Sequence, residues 1–393
     1  MTLSARPTRP LRIAYVVNNA AFFVSHRLGV ALAARSAGYQ VELMTGQAGS
    51  AALEALALRE LAAVSMTHCQ VSFRSAGVNL FTESIGLLQL AYRVWKFRPD
   101  IVHCASPKGI LYGGVAARLL GCHGVVLAVS GMGYLFTGPA ASWKALLRRC
   151  YGSLVRFAYG HPNKRAIVQN LDDLQSLTGL GLACRDEVVL IPGSGVRLDA
   201  YAGLDITDKQ AIVVLPARML KDKGVLEFAE AARILRDKGS RWRFALVGTA
   251  DYQNPTAVPV EQIQAWVDAG FVEWWGHRSD MVAVFGQAAV VCLPSYREGM
   301  PKALLEAAAA GCAVVTTDVI GCREAIVPGV TGDLVPAGDP QALAAVLGRL
   351  LDDPQRRARY GAAGNALATE RFSEYAVIES TLLIYEELNR HAA

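Results

Sequence analysis

Short β-branched and aliphatic runs alternate with stretches of helical spacing almost throughout the chain. In the first half the runs fall at residues 12–17, 41–45, 100–104 and 125–129. After a joint rich in Pro and Gly, Ile191-Pro192-Gly193-Ser194-Gly195, the pattern restarts at 212–217, 244–247, 290–293 and 313–317. Strand, helix, strand is the implied unit, because parallel strands need crossovers and each helix covers one sheet face. The pattern predicts an α/β chain of two doubly wound, Rossmann-like parallel-sheet domains, residues 1–195 and 196–372. Ligands are then expected beyond the carboxyl ends of the strands, in the cleft between the domains. Helices are expected over 341–351 and 354–369. Ser373 is placed to cap a last amphipathic helix through Leu388, and this segment, 373–393, is expected to pack back toward the first domain.

A chain of 393 residues, 52% hydrophobic and 19% charged, suits two folded domains and excludes disorder. Mean hydropathy is high at +0.27, yet no run of about 18 apolar residues is free of charges and breakers, so a membrane span is not expected. The first apolar run ends at Asn18-Asn19, too soon for a signal-peptide core, and a cytoplasmic location is expected. Eight cysteines are scattered without a C-x-x-C pair, which fits neither a disulfide framework nor a zinc cluster. Charge changes the picture most. Up to Gly195 there are 19 Lys and Arg against 9 Asp and Glu, and beyond it 20 against 25, so the halves carry +10 and −5. No acid occurs between Asp100 and Asp172, a stretch holding Lys108, Lys144, Arg148, Arg149 and Arg156. The first domain is expected to meet a polyanion: nucleic acid, an anionic membrane surface or a phosphorylated lipid. Nucleic acid is the poorest of these, since no helix-turn-helix, zinc or aromatic-sheet motif accompanies the charge.

Candidate chemistry concentrates in residues 293–307, where a strand ends, the chain turns at Glu298-Gly299, and a helix begins near Pro301 and carries Glu306. On one helix, eight positions are about 12 Å of rise, so the two carboxylates can hold two ends of an elongated ligand but not one small group. The helix is otherwise apolar or small beyond Lys302, so Glu306 needs polar partners, and ligand hydroxyls would serve. Residues 215–224 join another strand to a helix and place Arg218, Lys221 and Lys223 at its N-terminus, an anion site suited to a diphosphate, or else solvated loop cations.

These segments together resemble glycosyltransferase family 4, whose fold, GT-B, sets two Rossmann-like domains face to face. By that resemblance Arg218 and Lys223 hold the donor diphosphate, Glu298 contacts the donor sugar and Glu306 the ribose, with Gly299, Met300, Pro301 and Glu324 about the donor. Residues 98–103, 108–118 and 128–134 resemble bacterial capsule, exopolysaccharide and protein N-glycan transferases. The resemblance therefore implies a nucleotide sugar, UDP-linked, as donor of a hexose or N-acetylhexosamine, and a polyprenyl-diphosphate-linked saccharide as acceptor. It implies retaining transfer at the inner face of the cytoplasmic membrane. No Asp-x-Asp metal motif stands at a strand end, so no metal cofactor is expected.

Two departures from the family pattern bear on the first domain. Asn18-Asn19-Ala20-Ala21 stands where many relatives have glycines, leaving Asn19 and Ala20 as donor-side candidates, and Ala105 stands where many have a second histidine. His103 is then either at the sugar site or a core histidine. His26 and Arg27, expected to open a helix, are either acceptor-phosphate ligands or solvent-facing. Residues 143–159 read as a membrane-surface helix or as an ordinary amphipathic helix packed on the first sheet, and Phe22-Phe23 and Tyr134-Leu135-Phe136 as lipid-dipping tips or core. The rival readings are a nucleotide-sugar epimerase of the same architecture, which needs no acceptor, and an inert binding partner in glycan assembly.

Overall fold

The computed structural model describes residues 9–48, 50–74, 80–130, 142–250 and 254–390, and of residues 74, 80 and 142–150 the backbone alone. The chain forms two units, residues 1–191 with 377–393, and residues 192–376.

The first unit is built on seven strands: β1 (Arg12–Val17), β2 (Gln40–Gln47), β3 (Thr67–Arg74), β4 (Ile101–Ala105), β5 (Gly124–Ala128), β6 (Lys164–Val168) and β7 (Val188–Leu190). Their order is β3-β2-β1-β4-β5-β6-β7 and every pairing is parallel. β4 and β5 are buried at every position, as strands covered on both faces must be. On one face Tyr15, Phe23, Leu43 and Val126 join Val377, Ile384, Tyr385 and Leu388 of the last helix in one core. The other core takes Phe73, Leu90, Val102, Leu127 and Tyr159. Helices α1 (Ala20–His26) and α2 (Leu28–Ser36) follow β1, α3 (Ala51–Ala63) follows β2, and α4 (Leu80–Phe97) follows β3. Then come α5 (Gly114–Leu119), α6 (Ser142–Tyr159) and α7 (Leu171–Gly179). Asn19, Ser50 and Asn170 cap α1, α3 and α7 through their side chains.

The second unit has six strands: β8 (Gln210–Pro216), β9 (Arg243–Val247), β10 (Glu273–Gly276), β11 (Ala288–Leu293), β12 (Ala313–Thr317) and β13 (Gly332–Val335). They run parallel in the order β10-β9-β8-β11-β12-β13. Helices α8 (Val225–Asp237), α9 (Val260–Asp268), α10 (Met281–Gln287), α11 (Lys302–Ala309), α12 (Pro340–Asp352) and α13 (Pro354–Arg371) cover the sheet. The last helix, α14 (Glu374–Arg390), begins in the second unit and returns to the first at Val377. Its Tyr385 hydroxyl bonds that of Tyr15 at 2.7 Å, and Glu387 holds Arg165. Both sheets reverse their strand order beside the first strand of the unit, at β1/β4 and at β8/β11. Crevices open at such switch points beyond the strand ends.

Candidate functional site

At the β8/β11 switch point two loops meet. After β8 the chain runs through Arg218 into a 3-10 turn at Lys221–Lys223, and Gly224 starts α8 with φ +71°. Glycine is required there twice over, since a Cβ would also lie 2.1 Å from the Pro294 carbonyl oxygen. That close approach brings the second loop alongside. The Tyr296 N–H donates to the Asp222 carbonyl at 3.0 Å, and the Tyr296 hydroxyl donates to Glu227 at 2.7 Å, which pushes the phenol up to about 12.

Across this junction Lys223 Nζ donates to Glu298 Oε1 at 2.5 Å, and the Ser295 hydroxyl donates to the same oxygen at 2.8 Å. The Glu298 and Lys223 side chains are 13% and 23% exposed, so each remains reachable from solvent. Thr316 Oγ1 donates to the Leu293 carbonyl at 2.7 Å and Thr317 Oγ1 to that of Ser295, fixing the loop from β12. Gly321, at φ +82°, presses on the Glu298 and Gly299 carbonyls, and its N–H donates to Glu324 at 2.7 Å. Pro301 is the N-cap of α11, and Met300 is buried against Gly193. Glu306 sits on α11 with Lys302 at 3.5 Å. Burial raises its carboxyl above the usual range, and the charges of Lys302 and Arg197 pull it back in part. The arrangement offers a carboxylate for sugar hydroxyls beside an ammonium and, at exposed Arg218, a guanidinium for phosphate oxygens.

In the first unit Asn19 and Ala20 stand at the carboxyl end of β1. The Ala20 N–H faces buried Glu54 at 3.3 Å, and Ser106, at the end of β4 with φ +73°, bonds the Asn18 N–H and side chain. Lys108 lies beyond β4 but is held by Glu83 at 2.7 Å, and Tyr112 donates to the other oxygen of that carboxylate.

His103 is 1% exposed and lies within the core of the first unit. Its ring stacks on Tyr15, its Nδ1 meets the Tyr385 hydroxyl at 2.7 Å, and burial with the Arg27 charge holds it well below its ordinary value. It therefore fits the core-histidine alternative. His26 and Arg27 do not open a helix: Asn19 caps α1 seven residues long, so His26 ends it and Arg27 lies at the junction with α2. Arg27 is 5% exposed, neither solvent-facing nor at a strand end. Phe23 is wholly buried against Tyr15, and Phe22 stacks on His26. Of α6, Val155, Ala158 and Tyr159 are buried and Arg156 is exposed, which matches the packed-helix alternative in that half. The side chains of Lys144, Arg148 and Arg149, with residues 134–136, lie outside the described residues.

Sequence reading missed Ser295, Thr317, Glu54 and Glu83. The hydroxyls behind Glu298 carry no local signal, but Glu83, the sole acid of its helix in a basic half, is a sign that a cation, here Lys108, needs a partner.

A carboxylate and an ammonium are joined at the switch point of one doubly wound domain, in a chain with a second such domain, the two-domain architecture that the sequence predicted. Residues 12–167 match the family described as Glycosyl transferase 4-like and residues 210–353 that of Glycosyl transferases group 1, and the chain belongs to these glycosyltransferases. It is 28% identical over 333 residues, 80% of its length and 84% of the relative's, to the N,N'-diacetylbacillosaminyl-diphospho-undecaprenol alpha-1,3-N-acetylgalactosaminyltransferase of Campylobacter jejuni. It is 24% identical to the capsular polysaccharide biosynthesis glycosyltransferase CapM of Staphylococcus aureus, over 78% of this chain and 82% of that one. The crystal structure of Anabaena HepE in complex with UDP superposes with a TM-score of 0.73, at 15% identity, over 96% of this chain and 100% of the other. The fold is GT-B.

Proposed function

We propose that the chain is a retaining transferase moving a hexose or N-acetylhexosamine from a UDP-linked donor to a polyprenyl-diphosphate-linked saccharide, as a peripheral protein on the inner face of the bacterial cytoplasmic membrane. The observation that carries this reading is the Lys223–Glu298 pair at the β8/β11 switch point. The kinship with the Campylobacter enzyme, named for a diphospho-undecaprenol acceptor, supports the choice of acceptor.

In this mechanism Arg218 and Lys223 lie against the donor diphosphate, Glu298 accepts hydrogen bonds from the donor sugar, and Glu306 from the ribose. The bond between the anomeric carbon and the phosphate oxygen breaks, and the nucleoside diphosphate departs with the electron pair. The acceptor hydroxyl attacks from the same face and gives its proton to a phosphate oxygen of the leaving group. No protein nucleophile is needed. The side chains act by stabilising charge that develops on the diphosphate. No divalent metal is assigned to the site.

The test is transfer from radiolabelled UDP-, GDP- and dTDP-sugars to polyprenyl-diphosphate-linked mono- and oligosaccharides. One donor should label one acceptor with retained anomeric configuration. Donor binding without transfer to any acceptor, or release of an epimerised sugar, would overturn the reading.

A further inference from the structure

Helix α4 buries one face and leaves an apolar stripe on the opposite one. Phe81, Leu88, Tyr92 and Trp95 are 75%, 71%, 56% and 55% exposed. At steps of seven, four and three residues they line a single face about 21 Å long. Leu90 and Val94 are buried on the far side, and Gly86 comes so close to β3 that a Cβ would meet the Phe73 nitrogen at 2.6 Å. Glu83, also on that side, is clamped by Lys108 and Tyr112. The helix is thus fixed from beneath while Phe81, Leu88, Tyr92 and Trp95 are each more than half exposed.

The charges beside the stripe are of one sign. Arg93 and Lys96 are exposed on α4 and Arg98 follows it, whereas Glu83, the sole acid between residues 81 and 97, is buried. Glu42 offsets part of this charge from an adjoining groove of about 520 Å³ that Arg93 and Lys96 also line. We propose that α4 is the face by which the protein docks on an anionic lipid surface, its aromatic and leucine side chains entering the headgroup boundary and its cations meeting acidic headgroups. This rests on the proposed function in one respect, that the acceptor is carried in a membrane. Tyr and Trp suit such a boundary because one part of each ring system is apolar and another polar. A second copy packed in parallel on the same stripe would bring Arg93 and Lys96 against cations of the same kind, which disfavours that mode of self-association.

The test is flotation of the full chain with phosphatidylcholine vesicles and with vesicles containing phosphatidylglycerol, at low and high salt, for wild type, L88S/W95S and R93E/K96E. Wild type should float with the anionic vesicles alone, each double variant should float at least about tenfold less, and transfer to a short-chain, water-soluble acceptor analogue should be unchanged. Flotation of both variants like wild type overturns the proposal, as does failure of wild type to float. A dimer of wild type, seen by light scattering and lost in L88S/W95S, overturns it in favour of a second copy. Absence of transfer from any nucleotide sugar overturns the proposed function but leaves the flotation result standing.

Discussion

Lys223 Nζ lies 2.5 Å from Glu298 Oε1, joining two loops whose residues are 75 positions apart in sequence. The pair places an anion-seeking and a hydroxyl-seeking group side by side. Lys223→Met and Glu298→Gln are each expected to slow transfer by about 10²-fold, chiefly in kcat. The double variant should be about as slow as either single one, since the two act as a unit. Steady-state kinetics of the four proteins checks this, and a loss confined to KM would contradict it.

Gly224 combines a left-handed backbone with a 2.1 Å approach to the Pro294 carbonyl. Gly224→Ala should cost about 2–4 kcal/mol in urea unfolding. Gly38, at φ +93° with nothing within 4 Å of where a Cβ would stand, separates strain from collision, and Gly38→Ala should cost only about 1 kcal/mol.

Burial raises the Glu306 carboxyl. A carboxyl raised by folding favours the folded state most at pH below its unfolded value, and that advantage is lost as pH rises through the raised value. Glu306→Gln should therefore melt higher than wild type at pH 7, with the gain shrinking toward pH 4, while transfer falls by about tenfold or more. Thermal melts across pH paired with activity assays test both halves.

His103 is held neutral in the core, well below its ordinary value. Below about pH 6.5 the unfolded chain takes up a proton there that the folded chain does not, so this contribution to stability falls as pH drops. His103→Gln should flatten the fall of Tm between pH 6.5 and 5. Tyr385→Phe, which removes the hydroxyl shared by Tyr15 and His103, should cost about 1–3 kcal/mol by denaturant titration.

Transfer is expected to survive excess EDTA unchanged. Loss of activity restored by a divalent ion would contradict the metal-free mechanism.

The sequence announced the central strands because their residues are apolar on both faces: β1 and β12 fall where the pattern put them. It passed over β3, β6, β7 and β10. β3, β7 and β10 are edge strands, and the interior β6 opens on Lys164-Arg165, whose charges are satisfied by Glu187 and Glu387 elsewhere in the fold. At the loops after β8 and β11 the residue types were legible, because the strand-to-helix joints are local. In the first unit local spacing failed. Whether His103 served a sugar or a core depended on Tyr385, 282 positions away, and whether Lys108 was available depended on Glu83.

The return of α14 to the first unit fixes an order of events during synthesis. Part of the layer over Tyr15, His103 and Val126 is supplied by Val377, Ile384, Tyr385 and Leu388, which emerge after the whole second unit. At ordinary elongation rates, for about ten to forty seconds that face of the first sheet waits with only the cover that α1, α2 and α3 give it. The nascent chain should therefore depend on chaperones over that interval, and a ribosome stalled before Val377 should yield an insoluble first unit.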